Sequence, residues 1–271
     1  MIVAAGTSGE IQLGTSGFDF RDWFGRFYPS GLAKRHMLEY YSRFFSCVEI
    51  NATYYRLPSP TMAASWVRRT PETFRFIVKA HRSATHERAR MAEDMPAFLA
   101  GIEPLVAADR LDGVLLQFPE SFRRSEGSRE HLARTRRALD GLPVFCEFRH
   151  ASWCHDDVFA FLGDRDIGYC AVDEPELPGL MPSVMRVTSD EAYVRFHGRN
   201  AGAWRAGTRA PGADRYDWRY SKEELACWVE KIRAVANRTR RTWVFFNNCH
   251  EAKAIDGAHL LAEMLTEEIP T

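Results

Sequence analysis

The residues best suited to carry chemistry are concentrated in segment 47–60, where an apolar run is followed by several polar groups. The run contains one carboxylate, Glu49, and it leads into Asn51, Thr53 and Arg56. A buried strand that ends in a carboxylate, an amide, a hydroxyl and a guanidinium offers groups for proton transfer and for ligand binding. A purely structural alternative is an ion pair between Glu49 and Arg56 beneath an aromatic lid.

The elements that must position these groups alternate along the chain. Apolar runs predict eight strands, at 11–17, 47–50, 74–80, 111–118, 143–149, 168–173, 192–197 and 242–247. Amphipathic segments predict the helices between them, at 33–45, 60–69, 92–108, 128–139, 155–162, 221–235 and 251–265. Such alternation requires parallel strands joined by crossover helices.

The strand count indicates the fold class. Eight strand–helix units in a chain of 271 residues favour a single α/β domain over 1–271, an eight-stranded parallel (β/α)8 barrel of the TIM type. A proline-rich connection at 174–188 replaces a clean sixth helix, so we expect the barrel to be slightly irregular after its sixth strand. A long loop is predicted at 198–220, and Ser221 with Glu224 forms a capping box at the start of the next helix.

The amino-acid composition limits the classes of protein to which this chain can belong. The formal net charge is zero, which gives no overall field to attract nucleic acid or membrane. No apolar run approaches the length of a membrane span, and segment 1–14 lacks the features of a signal peptide. The cysteines are scattered without a C-x-x-C motif, which predicts reduced thiols, no zinc site and a cytoplasmic protein.

In a parallel barrel the active site forms at the carboxyl ends of the strands. Nearly every predicted strand ends in a polar or ionisable side chain, where a barrel built only for stability would carry apolar residues. The candidate site residues at these ends are Glu49, Asn51, Lys79, Gln117, Glu147, Arg149, Asp173, Arg195, His197 and Asn247.

These residue types suggest an enzyme that acts on a small anionic substrate. Lys79, Arg149 and Arg195 are suited to bind a phosphate or carboxylate. Asn51, Gln117, Asp173 and Asn247 would orient the substrate. Glu49, Glu147 and His197 are the catalytic candidates, since a carboxylate or an imidazole can move a proton. The structural alternative is a charge network that only tightens the mouth of the barrel.

No cofactor is predicted, although a divalent metal is an alternative. Glu49, Glu147, Asp173 and His197 could supply oxygen and nitrogen ligands, and the protein would then be a metal-dependent hydrolase of phosphoesters, with nucleic acid among the substrates. Two arginines are predicted close to these candidate ligands, and their positive charge weakens the metal hypothesis. The pair of glutamates is also compatible with a glycosidase, but the remaining strand ends do not fit one.

Two further interpretations stay open. The barrel could be a non-catalytic module that holds a ligand or a partner. The basic helix within 123–137 could contact nucleic acid, although a solvated face is the simpler explanation in a chain rich in arginine.

Motifs that carry a family resemblance run from about residue 11 to 265. They are Gly14-Thr-Ser-Gly-Phe18, Trp23, Phe27-Tyr-Pro29, Glu49-Ile-Asn-Ala-Thr-Tyr-Tyr55, Phe76-Ile-Val-Lys-Ala80, Gln117-Phe-Pro119, Glu147-Phe-Arg-His-Ala-Ser-Trp153, Tyr193-Val-Arg-Phe-His-Gly-Arg-Asn200, Trp204 and Phe246-Asn-Asn248. In this combination the chain resembles the YecE-like family, a domain of unknown function (number 72). Tyr54 stands where that family commonly has phenylalanine. The resemblance implies an eight-stranded α/β barrel and no particular reaction.

Overall fold

Nine strands form one sheet in the computed structural model, which describes residues 1–3, 5–205 and 215–267. The strands are β1 (Ile2–Val3), β2 (Glu10–Thr15), β3 (Cys47–Ile50), β4 (Arg75–Lys79), β5 (Leu111–Gln117), β6 (Val144–Glu147), β7 (Ile167–Asp173), β8 (Glu191–Phe196) and β9 (Arg241–Phe246). The eight predicted strand segments correspond to β2 to β9. These strands are nearly continuous apolar runs because parallel strands are covered on both faces.

The prediction of a closed eight-stranded parallel TIM-type barrel is wrong. The strand order is β1-β2-β9-β8-β7-β6-β5-β4-β3, and β2 to β9 run parallel to their neighbours. The short strand β1 pairs antiparallel with β2, which makes the sheet mixed. Within the described residues β2 and β3 share no backbone ladder. The sheet is therefore a half-barrel with an open seam between these two strands.

Side chains connect the two strands across the seam. The buried Tyr41 hydroxyl accepts a hydrogen bond from Thr15 N of β2 (3.0 Å) and donates one to Cys47 O of β3 (3.2 Å). Gly14 lets the strands approach, since a Cβ atom at this position would lie 2.7 Å from Cys47 O. The phenol group of Tyr41 thus takes the place of a backbone ladder between β2 and β3. A contact of this kind leaves no periodic pattern in the sequence.

Helices follow most strands, as the sequence predicts. They are Met37–Tyr41, Ala52–Tyr55, Pro60–Arg68, Arg82–Thr85, Met91–Ala107, Glu126–Ala138, Asp156–Gly163, Ala201–Trp204, Lys222–Ala236 and Lys253–Thr266, with 3₁₀ turns at Arg21–Trp23, Lys34–His36, Ala151–Trp153 and His250–Ala252. The predicted capping box is confirmed, because Ser221 and Glu224 exchange both hydrogen bonds.

Two connections differ from ordinary strand–helix units. The segment between β7 and β8, which is fully described, contains no helix. The predicted loop 198–220 includes the short helix Ala201–Trp204, and its residues 206–214 lie outside the described part of the chain. Among the described residues, no helix is both long and apolar enough to cross a membrane.

Aromatic rings fill the concave side of the sheet below its carboxyl edge. The rings of Phe145 and Phe245 lie 4.8 and 5.4 Å from the ring of Tyr193. Gly113 and Gly168 make room for Phe145, since a Cβ atom on either would lie 2.5 Å from its ring. The polar groups at the strand ends therefore stand on a packed aromatic layer.

Candidate functional site

Two buried glutamates at the strand ends share one arginine. Glu49 is the penultimate residue of β3, Glu147 is the last residue of β6 and Arg195 comes from β8. All three side chains are almost inaccessible to solvent. Arg195 Nη2 lies 2.7 Å from Glu49 Oε1, and Arg195 Nη1 lies 2.5 Å from Glu147 Oε2. The Tyr193 hydroxyl donates to Glu49 Oε2 at 2.6 Å. Glu49 is therefore partnered by Arg195, and the sequence-based alternative of a Glu49–Arg56 ion pair is not observed.

Glu147 is also the centre of a second set of contacts. Arg149 Nε lies 2.5 Å from Glu147 Oε1, and His197 Nε2 lies 3.3 Å from the same oxygen. Arg149 Nη1 lies 2.9 Å from Glu174 Oε2, and Asn247 Nδ2 lies 3.0 Å from His197 Nδ1. The sequence pattern thus placed Glu147, Arg149, Arg195 and His197 correctly on one face.

The network sets the charge of its members. Burial by itself raises the pKa of the Glu147 carboxyl, but the guanidiniums of Arg149 and Arg195 outweigh burial and hold that pKa well below its usual range. Burial and then Arg149 lower the pKa of His197 to about 3, so this imidazole is neutral. Burial raises the pKa of Glu174 to about 7 despite Arg149. Glu147 is therefore a fixed anion, and His197 is a neutral partner.

Above this network lies a cavity of about 620 Å³ at the carboxyl edge of the sheet. Its wall is formed by Ser16, Phe20, Asp22, Asn51, Tyr55, Lys79, Gln117, Arg149, Arg195, Tyr216, Asn247, Cys249 and His250. Of the predicted site residues, the cavity brings together the three cations, two amides from the strand ends and Asn51. Glu49, Glu147 and His197 lie beneath its floor with no exposed surface.

Lys79 differs from the two arginines of the cavity. Its Nζ donates to Gln117 Oε1 at 2.7 Å and lies 4.3 Å from the centre of the Tyr54 ring. Gln117 Nε2 in turn donates to Phe118 O, which fixes the orientation of the amide. Within the described residues Lys79 has no ion pair with a carboxylate, whereas Arg149 and Arg195 each have two. Lys79 is therefore the cation of the cavity that lacks a counter-ion.

The side-chain oxygen of Asn51 is a hydrogen-bond acceptor that receives no donor from the described residues. Asn51 Nδ2 donates to Ser16 O and Glu49 Oε1, both at 3.0 Å, which fixes the amide orientation. Its Oδ1 is buried and has no hydrogen-bond partner among the described residues. An unpaired buried acceptor is costly, so this atom marks a position that a donor from a ligand can satisfy.

Asp173 was predicted to bind substrate, but the structure places it on the other face of the sheet. Its carboxylate accepts hydrogen bonds from Tyr220 Oη (2.7 Å), Trp228 Nε1 (2.7 Å) and Arg199 Nη2 (2.6 Å). These partners belong to the outer layer, so Asp173 joins that layer to β7. The next residue, Glu174, takes the position facing Arg149 instead.

Some residues of the site escaped the sequence prediction. Tyr193 lies within a strand, two residues before Arg195, and that spacing was a signal that both share a face. Glu174 lies one residue beyond the predicted strand end. Tyr216 comes from a loop and had no periodic signal. Trp204, which the sequence motifs include, has its ring 5.6 Å from the Arg149 guanidinium.

The proposed metal ligands do not fit a metal. The guanidinium of Arg195 occupies the space between Glu49 and Glu147, and Asp173 lies on the opposite face of the sheet. In the part of the chain that the structure describes, no group of three or more His, Cys, Asp or Glu side chains is arranged to hold an ion.

The family described as "Protein of unknown function DUF72" matches residues 12–271. The chain belongs to the DUF72 family. The family resemblance predicted from the motifs is thereby confirmed.

Curated relatives of this DUF72 chain have the same extent. The UPF0759 protein YunF of Bacillus subtilis is 30% identical over 272 residues and covers 95% of each chain. The UPF0759 protein YecE of Escherichia coli K12 is 28% identical over 247 residues, which is 86% of this chain and 87% of that protein.

Solved DUF72 structures are similar to the whole chain. A DUF72 family protein from Thermotoga maritima superimposes with a TM-score of 0.87 and 41% identity, over 95% of this chain and 99% of that one. A DUF72 family protein from Enterococcus faecalis gives a TM-score of 0.84 and 27% identity, over 96% and 97% of the two chains.

Proposed function

We propose that this DUF72 protein binds a small organic anion, a phosphorylated or carboxylated compound, in the cavity at the carboxyl edge of its sheet. The observation that carries the proposal is the position of Lys79. This cation faces the cavity beside Arg149 and Arg195 and has no carboxylate partner among the described residues. An anionic group of a ligand would supply the missing counter-ion and accept charge-assisted hydrogen bonds.

The remaining polar groups of the wall support a ligand that also carries a donor. Asn51 Oδ1 is an unpaired acceptor in the same cavity, suited to a hydroxyl or an amine. Gln117 and Asn247 add amides at the ends of β5 and β9. Polar groups of this kind fix the orientation of a bound ligand.

An adjoining cavity of about 710 Å³ gives such a ligand room for an apolar part. Ser16, Phe20, Asn51 and Tyr55 line both cavities, and Phe18 and Trp66 line the second. An anionic head at Lys79 and a body that extends past Tyr55 would use both spaces. This arrangement favours an organic anion over inorganic phosphate alone.

Acid–base catalysis by Glu49, Glu147 and His197 stays a prediction, and the geometry favours another role for them. All three lie below the floor, and their contacts are made with the arginines and with Tyr193 and Asn247. In this position they hold Arg149 and Arg195 towards the cavity. Lys79, in contrast, lines the cavity itself and can exchange a proton with a bound ligand.

Thermal unfolding with a panel of ligands tests the proposal. The panel contains inorganic phosphate, sugar phosphates, nucleotides, 2-oxo acids and divalent metals. A ligand at a hundred times its dissociation constant adds about 2.7 kcal/mol, which raises the melting temperature of a chain of this size by roughly 5 to 10 °C. We expect one class of organic anion to give this rise.

A pair of variants locates the binding site. Lys79→Met should remove the rise because the cavity loses its cation without a counter-ion. Lys222→Met is the matched control, since Lys222 is exposed and lies 3.8 Å from Glu267; it should leave the rise intact. If no anion raises the melting temperature, or if Lys79→Met responds as the unmodified protein does, the proposal is refuted.

A further inference from the structure

Lys79 is the amine of the cavity, and its surroundings differ from those of every other lysine. It ends β4, where its Nζ is held by Gln117 Oε1 and covered by the Tyr54 ring. The remaining lysines of the chain have partners elsewhere: Lys34 with Asp19, Lys222 with Glu267, Lys231 with Ser183 O, and Lys253 with Asp217. A reaction that requires an amine in this cavity therefore falls on one residue.

The charges around Lys79 favour its neutral form. Burial opposes the ammonium most strongly, and Arg195 and Arg149 add repulsion, while Glu147 and Glu49 partly compensate. The pKa of Lys79 is lowered to about 7 in consequence, so near neutral pH the ammonium that binds an anion and the neutral amine are both populated. His86 from the neighbouring loop adds no positive charge near neutral pH, because burial and Lys79 lower its pKa to about 4. A neutral amine can donate one N–H to Gln117 and keep its lone pair free.

We propose that Lys79 forms an imine with the carbonyl carbon of an anionic ligand, a 2-oxo acid or an oxo phosphate. This inference rests on the proposed anion site and names the substrate class for it. Arg149 and Arg195 would bind the carboxylate or phosphate, which places the adjacent carbonyl near Nζ. A desolvated lysine next to other cations is the arrangement that activates an amine for this chemistry.

The covalent step can be written with its atoms in balance. The lone pair of Lys79 Nζ adds to the carbonyl carbon as the C=O π bond breaks, and one proton passes from Nζ to the former carbonyl oxygen to give a neutral carbinolamine. One proton from solvent lets this hydroxyl leave as water as the C–O bond breaks, and the nitrogen lone pair forms the C=N bond of an iminium that keeps one N–H. Asn51 Oδ1, which has no donor among the described residues, is suited to accept from the carbinolamine hydroxyl.

Reductive trapping tests the inference. The protein is incubated near neutral pH with pyruvate, 2-oxoglutarate or dihydroxyacetone phosphate and sodium cyanoborohydride, whose hydride reduces the iminium carbon to a stable secondary amine. Intact mass should increase by one reduced ligand, and peptide mapping should place the adduct on Lys79. Adducts spread over the lysines in proportion to their exposure would overturn the inference.

Variants separate this inference from the proposed function. Lys79→Arg keeps the cation but cannot form an imine, so it should retain anion-induced stabilisation and lose the adduct. Lys253→Arg, which changes a lysine paired with Asp217, should keep both. If an anion stabilises the unmodified protein and no carbonyl probe is trapped on Lys79, the imine is refuted and the anion site stands. If no anion stabilises the protein and nothing is trapped, both proposals fail.

Discussion

Glu147 Oε2 and Arg195 Nη1 lie 2.5 Å apart, although β7 separates their strands in the sheet. The contact crosses the concave side of the half-barrel and is closed to solvent. With the second contact between Arg195 and Glu49, it joins β3, β6 and β8 beneath the cavity. The network therefore stabilises the curved sheet and also supports the cations that face the ligand.

We expect Glu147→Gln to destabilise the protein by about 3 to 5 kcal/mol, because two buried arginines lose a shared anion. Urea denaturation measures this loss as a lower midpoint with an unchanged slope. Glu103→Gln is the control; Glu103 is an exposed residue of the helix Met91–Ala107, and its replacement should change stability by no more than about 0.5 kcal/mol. Equal midpoints for the two variants would contradict the stabilising role of Glu147.

Asp173→Asn should also destabilise the protein, by about 3 kcal/mol, because an amide NH₂ cannot accept the hydrogen bonds that the carboxylate receives. Since Asp173 faces Tyr220 and Trp228 rather than the cavity, any anion that stabilises the unmodified protein should stabilise this variant by the same increment. Thermal unfolding with and without the anion measures both quantities. If the folded variant is no longer stabilised by the anion, Asp173 belongs to the ligand site after all.

His197 should make stability depend on pH in acid. Its folded pKa of about 3 lies below its ordinary value of 6.5. Between these values the unfolded chain binds a proton at this site and the folded protein does not. The contribution is therefore complete above pH 6.5 and is lost as pH falls towards 3, with a slope of at most about 1.4 kcal/mol per pH unit.

Urea denaturation at several pH values between these limits measures the effect in the unmodified protein and in His197→Gln. The unfolding free energy of both proteins is compared over this interval. As pH falls, the unmodified protein should lose more unfolding free energy than His197→Gln does. A difference between the two proteins that is constant with pH would show that folding does not lower the pKa of this imidazole.

Gly14→Ala should weaken the seam between β2 and β3. The added methyl group would lie 2.7 Å from Cys47 O and 2.8 Å from the Phe245 ring, so the backbone must move. We expect a loss of about 1 to 3 kcal/mol, the usual cost of overpacking. Gly31→Ala is a matched control, since a methyl group there meets no atom within 4 Å. Similar melting temperatures for the two variants would refute the close packing at Gly14.

The sequence predicted the positions of β2 to β9 because parallel strands are long apolar runs with clear polar ends. It did not predict β1, since two residues are too few to show a pattern. It also could not predict the open seam. β2 and β3 are connected through the side chain of Tyr41 and approach each other at Gly14, and neither contact leaves a pattern in the sequence.

Alternation within a strand placed most of the candidate site correctly. Glu147 with Arg149, and Arg195 with His197, are two residues apart and do meet. Asp173 was misplaced because β7 is buried on both faces, so no change from apolar to polar residues reveals which face each side chain takes. Burial beneath the cavity, as for Glu49, is likewise invisible in a sequence, because it depends on how the side chains from several strands stack.

Because β2 and β3 share no backbone ladder, the curved sheet can open at one place, the seam between these two strands. Paired neighbours can separate only by breaking several backbone hydrogen bonds, whereas β2 and β3 are joined by side chains such as Tyr41. Ser16, just beyond β2, and Asn51, just beyond β3, stand on opposite sides of the seam and form part of the cavity wall. Widening the seam would therefore enlarge the cavity without breaking a backbone ladder, which gives the site a direction in which to adjust to ligands of different girth.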